Sequence, residues 1–224
     1  MRDMLRAVAV RTQLRNSGEV RTFTDADVRE ALRMQPNHQM LWQALRGELP
    51  LVKVLSYEAD GGEYQFTHLS FQEALVAEAA MMPNANDNVR DALWGSDSVA
   101  ASRLKGACRN VVRIGGSELG KALFAYRAHW DFAVEGLKDE HVSALAPLLA
   151  GEVLGGASLK LGGKAIDVRQ LQAESINLRE LRLGRPEAVL VSELLASRRV
   201  VELDLSKNSL DDGAAKILAK AFKY

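Results

Sequence analysis

The chain has 224 residues, 47% apolar and 26% charged, the proportions of an ordinary soluble globular protein. Twenty-nine basic and 29 acidic side chains cancel, which removes the basic excess that wrapping nucleic acid or clinging to anionic lipid requires. The single cysteine, Cys108, excludes an intramolecular disulfide and suits a reducing compartment, and no run of about 18 apolar residues offers a membrane span.

The first residues, MRDMLRAVAVRTQLRNS, carry four arginines, but Asp3 and the single serine argue against a transit peptide and for a helix. Apolar spacing places that helix over 4–14, closed by a turn at Asn16-Ser17-Gly18. A second helix starts at Thr24, whose hydroxyl and Asp27 have capping-box spacing, with Val28, Ala31 and Leu32 on its apolar side. A third covers 39–45 with Leu41, Trp42 and Leu45 on one face. Leu51 to Ser56 is β-branched and apolar, Ala59-Asp60-Gly61-Gly62 forms a turn, and Tyr64-Gln65-Phe66 alternates, which predicts a β-hairpin. A further helix begins near Thr67 or Ser70, where Ser70 and Glu73 again have capping-box spacing, and ends before Pro83. The expected architecture of residues 1–82 is a winged-helix-like α+β module.

The polar stretch MMPNANDNVRD marks a boundary. Residues 83–130 form a helical connector interrupted by Gly115-Gly116. From 131 to 224 the expected fold is an α/β leucine-rich-repeat solenoid. Leu159-Lys160-Leu161, Leu181-Arg182-Leu183 and Leu203-Asp204-Leu205 share the form Leu-x-Leu at two equal steps of 22 residues, inside the 20–29 range of that repeat. Asn208 is placed to bond the backbone where strand pairing stops. The helix around residues 211–222 is matched by that around 136–149. The middle units are degenerate, with Gly156 in place of leucine and Lys164 and Pro186 in place of asparagine. The array is expected to be truncated, because a repeat stack needs a polar cap and the sequence stops inside a covering helix.

Tyr64-Gln65-Phe66-Thr67-His68-Leu69-Ser70-Phe71-Gln72-Glu73 resembles the winged-helix segment that follows the NACHT ATPase core of NOD-like receptors. The run Leu203-Asp204-Leu205-Ser206-x-Asn208-x-Leu210-Asp211-x-Gly213-Ala214 resembles their ribonuclease-inhibitor-type repeats. The likeness covers about residues 40–80 and 131–224. It implies a STAND-type regulatory switch in which His68 contacts the phosphate of ADP or ATP held by an upstream core; the phosphate-cradling loop would precede residue 1. The residues alone also allow a simpler role, a histidine bonding backbone at a helix start. No cofactor is expected within the chain itself.

Other candidates for chemistry are weaker. Gly115-Gly116-Ser117-Glu118-Leu119-Gly120-Lys121 fits G-x-x-x-x-G-K, but Ala122 stands where a magnesium-binding hydroxyl belongs and Glu118 opposes phosphate. This leaves a divergent ATP-binding loop or a glycine turn between connector helices. His38, His68, His129 and His141 are scattered, so no metal site is expected, and Cys108 is most simply a packing residue. Asp211-Asp212 caps a helix start. The helix over 67–82 carries Glu73 and Glu78 and no lysine or arginine, which opposes DNA reading. The expected function is protein–protein recognition within a larger cytoplasmic switch protein, not catalysis; a stand-alone repeat scaffold is the other reading. The partner surface is the concave strand face, with Lys160, Arg182 and Asp204 side by side and Arg179 and Glu202 beside them.

Overall fold

A computed structural model describes residues 2–15, 21–33, 50–58, 61–82, 90, 109–126, 129–131, 142–143, 146–149, 158–161, 164–167, 169–196 and 199–222. The expected helix over 39–45, the turns at Asn16-Ser17-Gly18 and Ala59-Asp60, Cys108 and most of the MMPNANDNVRD boundary lie outside these residues.

Helix α1 (Arg2–Arg15) is followed by a short strand β1 (Thr22–Thr24) and helix α2 (Asp25–Ala31). The hairpin is formed by β2 (Val52–Glu58) and β3 (Gly61–Phe66), and β1 pairs with the other side of β3, giving an antiparallel sheet of order β1-β3-β2. Gly61 and Gly62 belong to β3, not to a turn. Side chains alternate along β3, so Tyr64 and Phe66 point inward while Glu63 is exposed. Phe23 from β1 joins them, with ring centroids 5.5 Å from Tyr64 and 5.1 Å from Phe66. The α2 capping box forms as expected: Thr24 accepts from the Asp27 amide, and Asp27 accepts from the Thr24 amide at 2.9 Å. The same carboxylate receives the Arg15 guanidinium, which ties α2 to α1. Helix α3 (Leu69–Met81) then packs on α1, its Val76, Ala77 and Ala80 sharing the buried core with Leu5, Val8 and Ala9 of α1.

Helix α4 (Arg109–Tyr126) packs against α3 through its first half and against the short helix α5 (Ala146–Leu149) through its second. Strand β4 (His129–Asp131) pairs in parallel with β5 (Ser158–Leu161), which pairs antiparallel with β6 (Lys164–Asp167). A 3-10 turn (Gln170–Gln172) leads to β7 (Ser175–Asn177), helix α6 (Arg185–Ala196), β8 (Glu202–Asp204) and helix α7 (Asp212–Ala221). Strands β7 and β8 are parallel, in the register Ser175↔Glu202, Ile176↔Leu203 and Asn177↔Asp204.

This arrangement overturns the expected fold class. The described strands fall into three separate small sheets, a three-stranded antiparallel one, a mixed one and a two-stranded one, so no solenoid sheet forms among the described residues of 131–224. The described residues make an assembly of helices and small sheets and not the winged-helix module, connector and repeat solenoid anticipated. The three Leu-x-Leu motifs occupy three unlike settings. Leu159-Lys160-Leu161 lies in β5 with an antiparallel neighbour, whereas stacked repeats require parallel ones. Leu181-Arg182-Leu183 is not a strand at all: Glu180 and Arg182 have φ of 59° and 58°, a left-handed conformation no β-strand residue adopts. Leu203-Asp204-Leu205 overlaps strand β8, but the parallel partner of β8 begins at Ser175, a step of 27 residues and not 22.

Candidate functional sites at the β3–α3 junction and the β7–β8 face

The end of β3 is pinned before α3 begins. Thr67 donates its amide to the Leu51 carbonyl at 2.9 Å and its hydroxyl to the Pro50 carbonyl at 3.0 Å, while Arg21 donates to the Thr67 carbonyl at 3.1 Å. His68 is therefore held at the N-cap of α3 in an extended conformation. The expected capping box from Ser70 to Glu73 does not form, because the helix starts earlier and both residues already lie inside it. His68 is exposed, makes no side-chain capping bond, and meets Phe71 edge to face with centroids 5.2 Å apart. The local-backbone role open to this histidine is thus not the one it takes. A helix N-terminus directs unsatisfied amides and a partial positive charge outward, so the imidazole sits where an anion is favoured.

The rest of the motif turns inward. Gln72 donates to Gln13 of α1 at 2.7 Å within the α1–α3 contact. Glu73, also buried, accepts from the Asn110 amide of α4 at 3.0 Å. Burial raises the Glu73 pKa above the usual carboxylate value, and the Asn110 bond and the charge of Arg109 only partly offset it. On the outer side, α1 and α3 splay around a groove of about 770 Å³ lined by Leu5, Leu51, Phe71, Leu75 and Met81, with the Arg2–Glu78 ion pair (3.0 Å) at its edge.

The second site is the outward face of β7 and β8. Alternation buries Ile176 and turns Ser175 and Asn177 outward, with Glu202 and Asp204 beside them in register. Ser175 donates to Glu202 at 3.0 Å. Each strand ends the same way: the Asn177 side chain accepts from the Arg179 amide at 3.0 Å, and Asp204 from the Ser206 amide at 2.8 Å. This Asx-turn satisfies the first amide after pairing stops and fixes where the chain leaves the sheet. Glu180 and Lys207, which stand 27 residues apart and are both left-handed, then pair at 2.6 Å. The Ser206 hydroxyl and amide hold the Asp204 carboxyl below its ordinary pKa, and the Lys207 ammonium does the same for Glu180.

Of the expected partner residues, Arg179, Glu202 and Asp204 come together on this face. Arg182 is exposed on the following loop, and Lys160 belongs to the separate β4-β5-β6 sheet, opposite Ala165, so the predicted stripe of Lys160, Arg182 and Asp204 does not exist. Ser175 and Asn177 were missed. Aligning Ile-x-Leu-x-x-Leu-x-Leu at 176–183 with Leu-x-Leu-x-x-Asn-x-Leu at 203–210 would have found both.

Gly115 to Lys121 lies within α4, which is helical before and after the motif and breaks only at Gly116. A phosphate loop needs a strand before it and free amides within it, and here Val111 and Val112 are helical. Lys121 pairs with Glu118 at 2.7 Å. The second half of the motif serves packing: a Cβ on Gly120 would run into the Leu148 carbonyl oxygen of α5. His38 and His141 lie outside the described residues. No described helix is long and apolar enough to cross a membrane. Comparison of the chain with protein-family models, curated proteins and solved structures finds no match.

Proposed function

We propose that the chain is a protein-recognition and coupling segment of a larger regulatory protein of the NOD-like type, with no complete active site of its own. The observation that carries the recognition half is the β7–β8 face. It presents Ser175, Asn177, Glu202 and Asp204 on two strands and Arg179 in the turn just past β7, the strand ends being fixed by Asx-turns. Polar groups held in place cost little ordering entropy on binding, and a mixed pattern of charge selects one partner over another. The coupling half rests on His68, exposed at the α3 N-terminus and joined through Gln72 and Glu73 to α1 and α4. By the family resemblance, it would meet the phosphate of a nucleotide held by an ATPase core elsewhere in the full protein.

The test is charge reversal on the face. The full protein carrying Arg179→Glu, Glu202→Lys and Asp204→Lys together should lose the protein complexes that the unaltered protein forms, with circular dichroism and thermal midpoint unchanged. Complexes that survive all three reversals would remove the face from the reading.

A further inference from the structure

We propose that α4 is a two-state joint: Gly115-Gly116 lets it switch between the observed kinked form and one continuous helix, swinging the α5 side of the molecule relative to α3. The proposal deepens the coupling part of the function above but stands on separate observations, so its failure would leave the charge-reversal test untouched.

The two halves of α4 are clamped to different partners. Before the break, Val111 and Val112 are fully buried and Asn110 bonds Glu73 of α3. After it, Leu119 and Leu123 are buried and Gly120 lies directly against the Leu148 backbone of α5. Motion at residue 116 therefore changes how the two clamps stand to each other without unmaking either.

The kink depends on both glycines, each for its own reason. Gly116 has φ 51° and ψ −141°, a conformation closed to L side chains, although a Cβ there would meet nothing within 4 Å. Space does not demand glycine at that position; the backbone does. At Gly115 the reverse holds: φ is not positive, but a Cβ would lie 2.6 Å from the Leu119 Cβ. In a regular helix, residues four apart keep their Cβ atoms about 5–6 Å apart. That crowding is thus a property of the kinked form alone.

The straight form is written into the same residues. Val112, Leu119 and Leu123 are spaced by seven and eleven residues, close to two and three turns at 3.6 residues per turn. A continuous helix places these three on one line, with buried Val111 one residue round from it, so an unbroken α4 would present most of the buried apolar side chains on one face. The regular helix recovers the backbone bonds lost at the break.

Gly115→Ala and Gly116→Ala disfavour the kink by unrelated means, the first by a clash and the second by φ, and should produce the same new state. D-alanine at 116, introduced by semisynthesis, matches the observed φ and ψ and should keep the kink. Spin labels at Arg11→Cys in α1 and Lys216→Cys in α7, in a Cys108→Ser background, report the separation of the two sides by pulsed dipolar spectroscopy. Both L-alanine chains are expected to share one main distance displaced from that of the parent by roughly 5 Å or more, the scale of a one-turn shift. Helicity should be unchanged or higher, and the D-alanine chain should keep the parental distance. Parental distances in both L-alanine chains, or different displacements in the two, would overturn the proposal. So would unfolding of both beside an intact D-alanine chain, since the kinked packing would then be the one form available.

Discussion

Four backbone groups converge on the side chain of Asn208. Its oxygen accepts from the amides of Leu181 and Leu183, each at 3.0 Å, and its nitrogen donates to the carbonyls of Leu178 at 2.7 Å and Leu205 at 2.9 Å. The loop after β7 is left-handed at Glu180 and Arg182 and cannot pair its own groups as a strand would, so the amide completes its hydrogen bonding. Removing it leaves several half-buried donors and acceptors unmade, and Asn208→Ala should cost about 2–4 kcal/mol. The urea midpoint should fall at constant slope. Asn208→Asp keeps the acceptor and loses the donors, so it should fall between the two; a midpoint equal to the parent's for the alanine chain would mean that water replaces the amide without loss. Glu73 makes a different demand. Burial raises its folded pKa above the ordinary 4.5, so the folded state holds the proton more tightly than the unfolded one. The stability this confers is complete below the unfolded value and is lost as pH rises through the raised folded value. Asp167, Glu180 and Asp204 have lowered pKa values and act with the opposite sign: their contribution is present above the ordinary carboxylate range and lost as pH falls through their lowered values. The stability difference between the parent and Glu73→Gln, followed against pH by denaturation, isolates Glu73. The parent should lose stability relative to the glutamine chain as pH rises above about the usual carboxylate range. A constant difference across that range would refute the raised pKa.

At the scale of elements, local chemistry was legible and pairing was not. Thr24 and Asp27 announced the start of α2 because a capping box is satisfied within four residues, and the hairpin followed from alternation around Tyr64 and Phe66. Asn208 was legible for the same reason, since its partners include Leu205, three residues away. The β7–β8 register was not legible. Leu-x-Leu recurs at 181 and 203, but leucines at 181 and 183 also serve a loop that folds back over the core, and the sequence does not say which leucine lies in a strand. Spacing alone favoured the 22-residue step; the 27-residue step shows only when the Asx residues Asn177 and Asp204 are aligned as strand ends. The antiparallel β5–β6 pair, which breaks any continuous parallel array, carries no local sign, because Ile166 and Ala165 suit either orientation. For the β3–α3 junction, the motif located His68, yet the use of Glu73 depended on Asn110, 37 residues away, which no local pattern connects to it.

Among the described residues, most helices stack in chain order, α1 on α3, α3 on α4, α4 on the short α5, α5 on α6 and α6 on α7. A layered order of this kind passes stability mainly between neighbours, so an opening at one end need not reach the other. Leu190 of α6 is fully buried, and Leu190→Ala should cost about 2–4 kcal/mol through the lost contacts and the cavity left behind. Where exchange proceeds by opening of that end, 2 kcal/mol corresponds to a roughly 30-fold faster rate. Amides of α6, α7 and the β7–β8 pair should therefore exchange at least that much faster in the variant, while α1 and α3 keep their parental rates. Val76→Ala, at a fully buried position in α3, should give the converse, with loss in α1, α3 and the first half of α4 and none in α7. The break at Gly116 falls between the two affected regions. Uniform acceleration of every helix by either substitution would show that the chain opens as a single unit, leaving no independent parts for a joint in α4 to move.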